Sequence, residues 1–223
     1  MSDRSAHRHP RSETLALYAA GGLDEARAVV VATHLTICDE CRLEVRDWEA
    51  LGGIALETVE PAPMSDNALT DFWARAEGAE PATLPASLRA ANDFPLEAAQ
   101  PLRRYLKNGL DGVPWKTVAP GLAQHILQAE GYRPGVLRLL KIAPGVKIPV
   151  HGHKDNEVTL ILRGAYHDHL GVFQEGDFAD LDEDDQHAPV AIGDEDCICL
   201  IATSAPLAFK SVVGKIVQPF IGL

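Results

Sequence analysis

The 223-residue sequence has no apolar run approaching the ~18 residues that a membrane-spanning helix needs. Its start, Met1-Ser2-Asp3-Arg4, lacks the apolar core of a secretory signal. A membrane anchor and an export route are therefore not expected, and the sequence reads as cytoplasmic. Basic side chains are also in short supply. Twenty Lys and Arg stand against 32 Asp and Glu, a formal net charge of −12 with a pI near 5.1. Grip on nucleic-acid phosphates is built on clustered positive charge, so any role in transcription runs through another protein. Cysteine is scarce, with four residues in two close pairs, Cys38/Cys41 and Cys197/Cys199. In a reducing compartment such pairs point to metal or redox chemistry before structural disulfides. The rest, 46% hydrophobic and 23% charged, is the composition of a globular protein with length for one large domain or two small ones.

The chain changes character along its length. Residues 1–77 are rich in Ala, Leu and Glu and read as helices. Ser12 caps a helix that Gly21-Gly22 ends, a second helix runs from Asp24 to Leu35, and a third from Asp39 to about Thr58. In the third, Leu43, Trp48, Leu51, Ile54 and Ala55 are expected to form one buried face. A short fourth helix after Ser65 or Asp66 contains Leu69, Phe72 and Trp73. Residues 78–95, with Gly78, Pro81, Pro85 and Pro95, read as a linker. From 96 to 223 short β-rich runs recur between Gly and Pro turns, among them 136–140, 158–162 and 197–201, as in a sandwich or barrel. The helical part is the more acidic, with 7 basic and 14 acidic side chains. The acidic run Asp182-Glu183-Asp184-Asp185 reads as a solvated loop.

Two clusters carry chemistry. The first is His34-x3-Cys38-x2-Cys41, set where one helix ends and the next begins. Two thiolates and an imidazole suit Zn²⁺, and a fourth ligand closes the tetrahedron of a structural site. His9 is the best candidate for it, with His7 as the near alternative. A redox Cys-x-x-Cys pair with an incidental histidine is the competing reading, since a helix N-terminus lowers a thiol's pKa. Together, His9 and His34-x3-Cys38-x2-Cys41 in a small acidic helical region resemble the zinc-binding anti-sigma domain that inhibits extracytoplasmic-function sigma factors. The segments Tyr18-Ala19-Ala20-Gly21 and Ala32-Thr33-His34-Leu35 add to that resemblance.

The second cluster is Gly145-x5-His151-x-His153-x3-Glu157-x6-Gly164. On a strand, His151 and His153 share a face, and Glu157 returns to it after a short irregular stretch. The spacing resembles the first cupin motif. Gly176-x5-Asp182-x-Asp184-x2-His187 keeps the spacing of the second motif and puts His187 in the place of the third histidine. It departs from the family at Asp182 and Asp184, where Pro and Gly are usual, and at Ala191, where Asn is usual. Three imidazoles and a carboxylate suit Zn²⁺, Fe²⁺, Mn²⁺ or Ni²⁺. His125, His167 and His169 read as surface residues. Cys197 and Cys199 read as buried packing, with thiol sensing near the metal as the sharper alternative. Arg138, Tyr166 and this cysteine pair are the polar groups expected near the metal if the site were enzymatic.

The pairing implies a multidomain α-plus-β chain, a zinc-binding helical bundle (1–77), a linker (78–95) and a jelly-roll-like cupin barrel (96–223). That arrangement resembles the ChrR-type anti-sigma factors. The resemblance implies a repressor without turnover that holds an extracytoplasmic-function sigma factor away from RNA polymerase. In family members the cupin senses singlet oxygen or related oxidative stress, and the sigma factor is then released. A small molecule or oxidant acting at the cupin would be the signal. The rival reading is a cupin dioxygenase with a helical docking unit.

Overall fold

The computed structural model describes residues 6–78, 96, 99–127, 135–152 and 156–203, together with the backbone of 208–209. The expected linker from 79 to 95 lies outside the described residues, as does His153.

Four helices open the chain: α1 (Ser12–Ala19), α2 (Glu25–Leu35), α3 (Asp39–Glu57) and α4 (Ala68–Glu77). Side-chain caps start α2 and α3, whereas α1 begins at Arg11 with Ser12 already inside the helix, so the expected Ser12 cap is corrected, and α4 begins at Asn67 without a side-chain cap. Asp24 accepts the backbone N–H of Arg27 at 3.0 Å, and its other carboxylate oxygen holds the Arg27 guanidinium at 2.6 Å. Cys38 is the N-cap of α3, its sulfur accepting the N–H of Cys41 at 3.4 Å. The structure places two short 3₁₀ turns next, at Gln100–Leu102 and Leu110–Gly112.

The strands that follow are β1 (Lys116–Ala119), β2 (Leu122–Leu127), β3 (Val136–Ile142), β4 (His151–Gly152), β5 (Glu157–Arg163), β6 (Ala165–Asp168), β7 (Gly171–Gln174), β8 (Phe178–Leu181), β9 (Gln186–His187), β10 (Val190–Ile192), β11 (Cys197–Thr203) and β12 (Ala208–Phe209). They make a six-stranded antiparallel sheet in the order β1-β2-β3-β11-β5-β8, with smaller sheets β10-β6-β7 and β12-β4-β9. Gly164 closes the tight β5–β6 turn at φ +70°, where a Cβ would stand 2.7 Å from the Asp196 carbonyl oxygen.

Side chains alternate across the large sheet and divide the core in two. Leu137, Leu139, Val158, Leu160, Leu162, Ile198, Leu200 and Phe178 pack with Leu15, Ala26, Val29 and Val30 of the helices. Leu140, Ile142, Ile161, Cys197, Cys199 and Ile201 face the other way, towards Tyr166, Phe173 and Ala191 of the small sheet. The helical unit therefore uses the cupin sheet as its floor. Helix α2 buries Ala26, Val29, Val30, Val31, Thr33 and His34, as expected of a helix enclosed on most sides.

Helices α3 and α4 behave otherwise. Only Cys41 and Val45 of α3 are buried, and α4 buries no residue. Leu43, Trp48, Leu51, Ile54, Leu69, Phe72 and Trp73 are all exposed, Ile54 at 61% and Phe72 at 54%. The expectation of a buried α3 face is corrected here: periodicity reports an apolar face and says nothing about what covers it. No helix among the described residues is long and apolar enough to cross a membrane.

Leu200, fully buried at the centre of β11 between β3 and β5, joins the sheet to the helices. Leu200→Ala is expected to lower the unfolding free energy by about 2–5 kcal/mol, read by urea denaturation of the full chain.

Candidate metal centres

The N-terminal cluster forms where three pieces of backbone meet. His34 ends α2, Cys38 caps α3, Cys41 lies in the first turn of α3, and His9 comes from the extended arm ahead of α1. His9 Nδ1 lies 3.3 Å from the Cys38 sulfur and 3.4 Å from that of Cys41, and His34 Nε2 lies 3.4 Å from the Cys41 sulfur. Zinc bonds of about 2.3 Å to sulfur and 2.0–2.1 Å to nitrogen put tetrahedral donors about 3.5 Å apart, close to these separations. His34 Nδ1 donates to the Gly176 carbonyl at 3.1 Å, which leaves Nε2 as the lone-pair nitrogen facing the sulfurs. The ring is fully buried, and burial pushes its pKa down to about 4. Burial, and then the adjacent Cys38 sulfur, push the Cys41 thiol far above its usual range. Thiolates in this cluster would need a cation beside them, and the soft N₂S₂ donor set fits zinc. The His7 ring is exposed and outside the cluster.

The arm that delivers His9 is strapped to the cupin sheet. Asp177 accepts the backbone N–H groups of His7 and Arg8 at 2.8 and 3.1 Å, and Phe178 donates its N–H to the Arg8 carbonyl at 3.1 Å. The Arg8 guanidinium lies 4.2 Å over the Phe173 ring and donates to the Val172 and Leu170 carbonyls. Arg11 pairs with Asp182 at 2.5 Å and Asp185 at 3.0 Å. Gly176, at φ +91°, lets the β7–β8 turn approach Ile37 so closely that a Cβ would stand 2.8 Å from its Cδ1.

The second cluster joins His151, Glu157 and His187, all buried, with donor atoms within 4.8 Å of one another. β4 and β9 pair so that His151 stands opposite His187, and Glu157 opens β5. His151 Nδ1 donates to the Pro149 carbonyl at 2.8 Å, and His187 Nδ1 donates to Asp168 at 3.1 Å. Both Nε2 atoms then carry lone pairs, yet they face each other at 2.9 Å. Two acceptors do not bond one another; a cation between them resolves the contact. Two nitrogens on one ion at about 2.1 Å stand about 3.0 Å apart at a right angle and about 3.4 Å apart at the tetrahedral angle.

Asp168 was not legible as part of this site, because nothing in its neighbourhood on β6 marks it. Its side chain is 1% exposed. Burial raises its pKa, but the bond from His187 and the Leu170 N–H outweigh burial and leave it lowered. The Asp182–Asp185 run is a closed turn rather than a plain solvated loop. Asp182 accepts the N–H of Asp184 at 3.0 Å, and Asp185 accepts that of Asp182 at 3.0 Å. The carboxylates of Asp182 and Asp185 thus close the turn, Asp182 from a position that departs from the cupin pattern, while Asp184 contributes its backbone N–H. Cys197 and Cys199 are buried with their sulfurs 3.7 Å apart, and the Cys197 sulfur followed by burial holds the Cys199 thiol well above its usual pKa. His167 and His169 are exposed, and His125 is half-buried.

Residues 109–206 match the family model described as ChrR Cupin-like domain, and residues 12–42 match the one described as "Putative zinc-finger". The curated anti-sigma-E factor ChrR of Cereibacter sphaeroides is 41% identical over 212 residues, 95% of this chain and 96% of that one. The chain belongs to the ChrR family. A solved structure of Rhodobacter sphaeroides SigE in complex with the anti-sigma ChrR matches this ChrR-family chain with a TM-score of 0.75 and 37% identity, covering 89% of this chain and 99% of that one. The match bears out the zinc-finger helices followed by a cupin-like sheet domain.

Two measurements follow from the geometry. Metal analysis of the full chain should give two equivalents, falling towards one in His9→Ala and staying at two in His7→Ala. Asp168→Asn should weaken metal binding at the cupin about 10- to 100-fold without changing the N-terminal zinc, as read by competition with a chromophoric chelator.

Proposed function

We propose that this protein is a cytoplasmic anti-sigma factor. Residues 1–77 hold zinc through His9, His34, Cys38 and Cys41 and bind an extracytoplasmic-function sigma factor. Residues 96–223 hold zinc or another divalent ion (Fe, Mn or Ni) through His151, His153, Glu157 and His187 and respond to oxidative stress, singlet oxygen or a related oxidant. Residues 78–95 join the two.

The observation that carries the reading is the uncovered apolar surface of α3 and α4. From Arg46 to Glu57 every residue of α3 is exposed. An isolated helix of that length is marginal in water and gains its stability from packing an apolar face. Trp48, Leu51 and Ile54 on α3, and Phe72 and Trp73 on α4, are apolar side chains without cover among the described residues, and exposed apolar patches mark protein interfaces. The complex of the ChrR relative with SigE supports a sigma factor as the occupant. Acidic Glu44, Asp47, Glu49, Glu57 and Asp71 on the same helices complement the basic surface that a sigma factor turns to DNA. The family assignment favours this regulatory role over a dioxygenase.

Release requires that the cupin site and the sigma-binding helices share an equilibrium. The strap supplies a short route: Arg11 follows the ligand His9 by two residues and pairs with Asp185, which precedes the ligand His187 by two. A change at the cupin ion that moves β9 therefore pulls on the arm that completes the zinc site.

Ile54→Asp combined with Phe72→Asp should abolish co-purification with the extracytoplasmic-function sigma factor encoded nearest to this protein, while leaving two bound metals and an unchanged unfolding midpoint. A double variant that still co-purifies places the interface elsewhere. Singlet-oxygen treatment should dissociate the wild-type complex and leave that of His187→Ala intact.

A further inference from the structure

Arg8 is fastened by its backbone and again by its side chain. Its N–H donates to Asp177 Oδ1 at 3.1 Å, and its carbonyl accepts the Phe178 N–H at 3.1 Å. Its guanidinium donates through Nε to the Val172 carbonyl at 3.1 Å and through a terminal nitrogen to the Leu170 carbonyl at 2.6 Å. β7 is an outer strand of its sheet, and the planar fork of an arginine spans two carbonyls of such an edge where a lysine reaches only one. The hairpin clears the place for it. Gly171, at φ +116°, has no side chain, and a Cβ there would stand 2.5 Å from a guanidinium nitrogen.

The side chain adds a contact that the backbone does not make. The guanidinium carbon lies 4.2 Å from the centre of the Phe173 ring, and that ring is stacked on Tyr166, with 4.8 Å between centres and 20° between planes. The stack is built by strand register, because Phe173 of β7 stands opposite Tyr166 of β6. Both rings are 2% exposed. Tyr166 lines the cavity that it shares with His151, Glu157 and His187, and its hydroxyl has no hydrogen-bond partner among the described residues. A buried hydroxyl in that state is costly, so its position responds to any partner the cavity offers or withdraws. Close-packed rings pass such a displacement on rather than absorb it. At the far end of this line, the residue after Arg8 is His9, whose Nδ1 faces the sulfurs of Cys38 and Cys41.

We propose that Arg8 is a positioning residue for the zinc ligand His9, and that the Tyr166–Phe173 stack on which it rests carries the state of the cupin cavity to the N-terminal cluster. A change at Tyr166 tilts Phe173, loosens the guanidinium from the edge of β7 and lets His9 leave the two sulfurs. This line runs through rings and is separate from the ion pairs of Arg11 with Asp182 and Asp185. It rests on both clusters being metal sites, as proposed above.

The test uses the full chain, its metal content measured first, and follows the alkylation of each cysteine by iodoacetamide with mass spectrometry. A sulfur held on zinc reacts slowly, so Cys38 and Cys41 report whether the arm is closed, while the buried Cys197 and Cys199 report whether the cupin is intact. Arg8→Ala should speed alkylation of Cys38 and Cys41 about tenfold and leave Cys197 and Cys199 slow. Arg8→Lys, which keeps the charge without the fork, should fall between. His151→Ala, which empties the cupin site, should speed Cys38 and Cys41 about fivefold or more, and should add nothing in a chain that already carries Phe173→Leu. Wild-type rates in Arg8→Ala, no response to His151→Ala, or an undiminished response in the Phe173→Leu chain each overturn the proposal while both metal sites stand. In Arg8→Ala, a rise at Cys197 and Cys199 that matches the rise at Cys38 and Cys41 is plain destabilisation and overturns it as well. A wild-type chain whose Cys38 and Cys41 react as free thiols, with no zinc bound, overturns the reading of the N-terminal cluster and this proposal with it.

Discussion

One hydrogen bond, from His34 Nδ1 to the Gly176 carbonyl, ties the two halves of this molecule together. It turns the imidazole so that Nε2 faces Cys41, and its acceptor belongs to the turn between β7 and β8 of the cupin. The Phe178 ring packs edge-on against the same imidazole, with 5.4 Å between ring centres. The imidazole proposed as a zinc ligand is thus also a core residue of the helix-on-sheet contact. Because the acceptor is backbone, the bond depends on the path of the β7–β8 turn, and that path depends on Gly176 and on the Asp177 carboxylate that fastens the arm. The zinc site is consequently a joint rather than a staple confined to the helices.

The second dependency is the two-faced sheet. Each central strand sends alternate side chains to the helices and to the metal cavity. Residues neighbouring in sequence therefore report to different halves: Leu160 supports α2, while Thr159 and Ile161 face the cupin interior. A displacement of β5, β11 or β8 is felt on both faces, because packed interiors transmit strain rather than absorb it. The strap adds a shorter polar connection at the sheet edge. By contrast, α3 beyond Val45 and all of α4 lie outside either core, and a surface that must accept a partner is left to them.

Much of this was legible in the sequence, for identifiable reasons. Helix limits followed from Asp24 and Gly21-Gly22, because caps and stops act within a few residues, whereas α1 starts at Arg11 rather than at a Ser12 cap. His9, His34, Cys38 and Cys41 were recoverable because two helices joined by a tight turn bring such a spacing together. His151, Glu157 and His187 converge because strand periodicity and hairpin pairing carry them. What escaped is non-local. Asp177, Arg8 and Arg11 act across about 170 residues, and no periodicity signals such pairs. Asp168 sits between two exposed histidines, and its pairing with His187 lies 19 residues away. The apolar residues of α3 and α4 were visible, but the pattern of a core-facing helix and that of a partner-facing helix are the same.

The central claim is that α3 and α4 are left uncovered for a sigma factor to cover. Hydrogen exchange of the full chain, alone and with the extracytoplasmic-function sigma factor encoded nearest to it, tests this most directly. The account predicts rapid exchange over residues 46–57 and 68–77 in the free protein, strong protection of both stretches in the complex, and slow exchange of α2 in either state. Protection confined to the cupin strands, or α3 and α4 amides that are equally slow with and without the sigma factor, would contradict it.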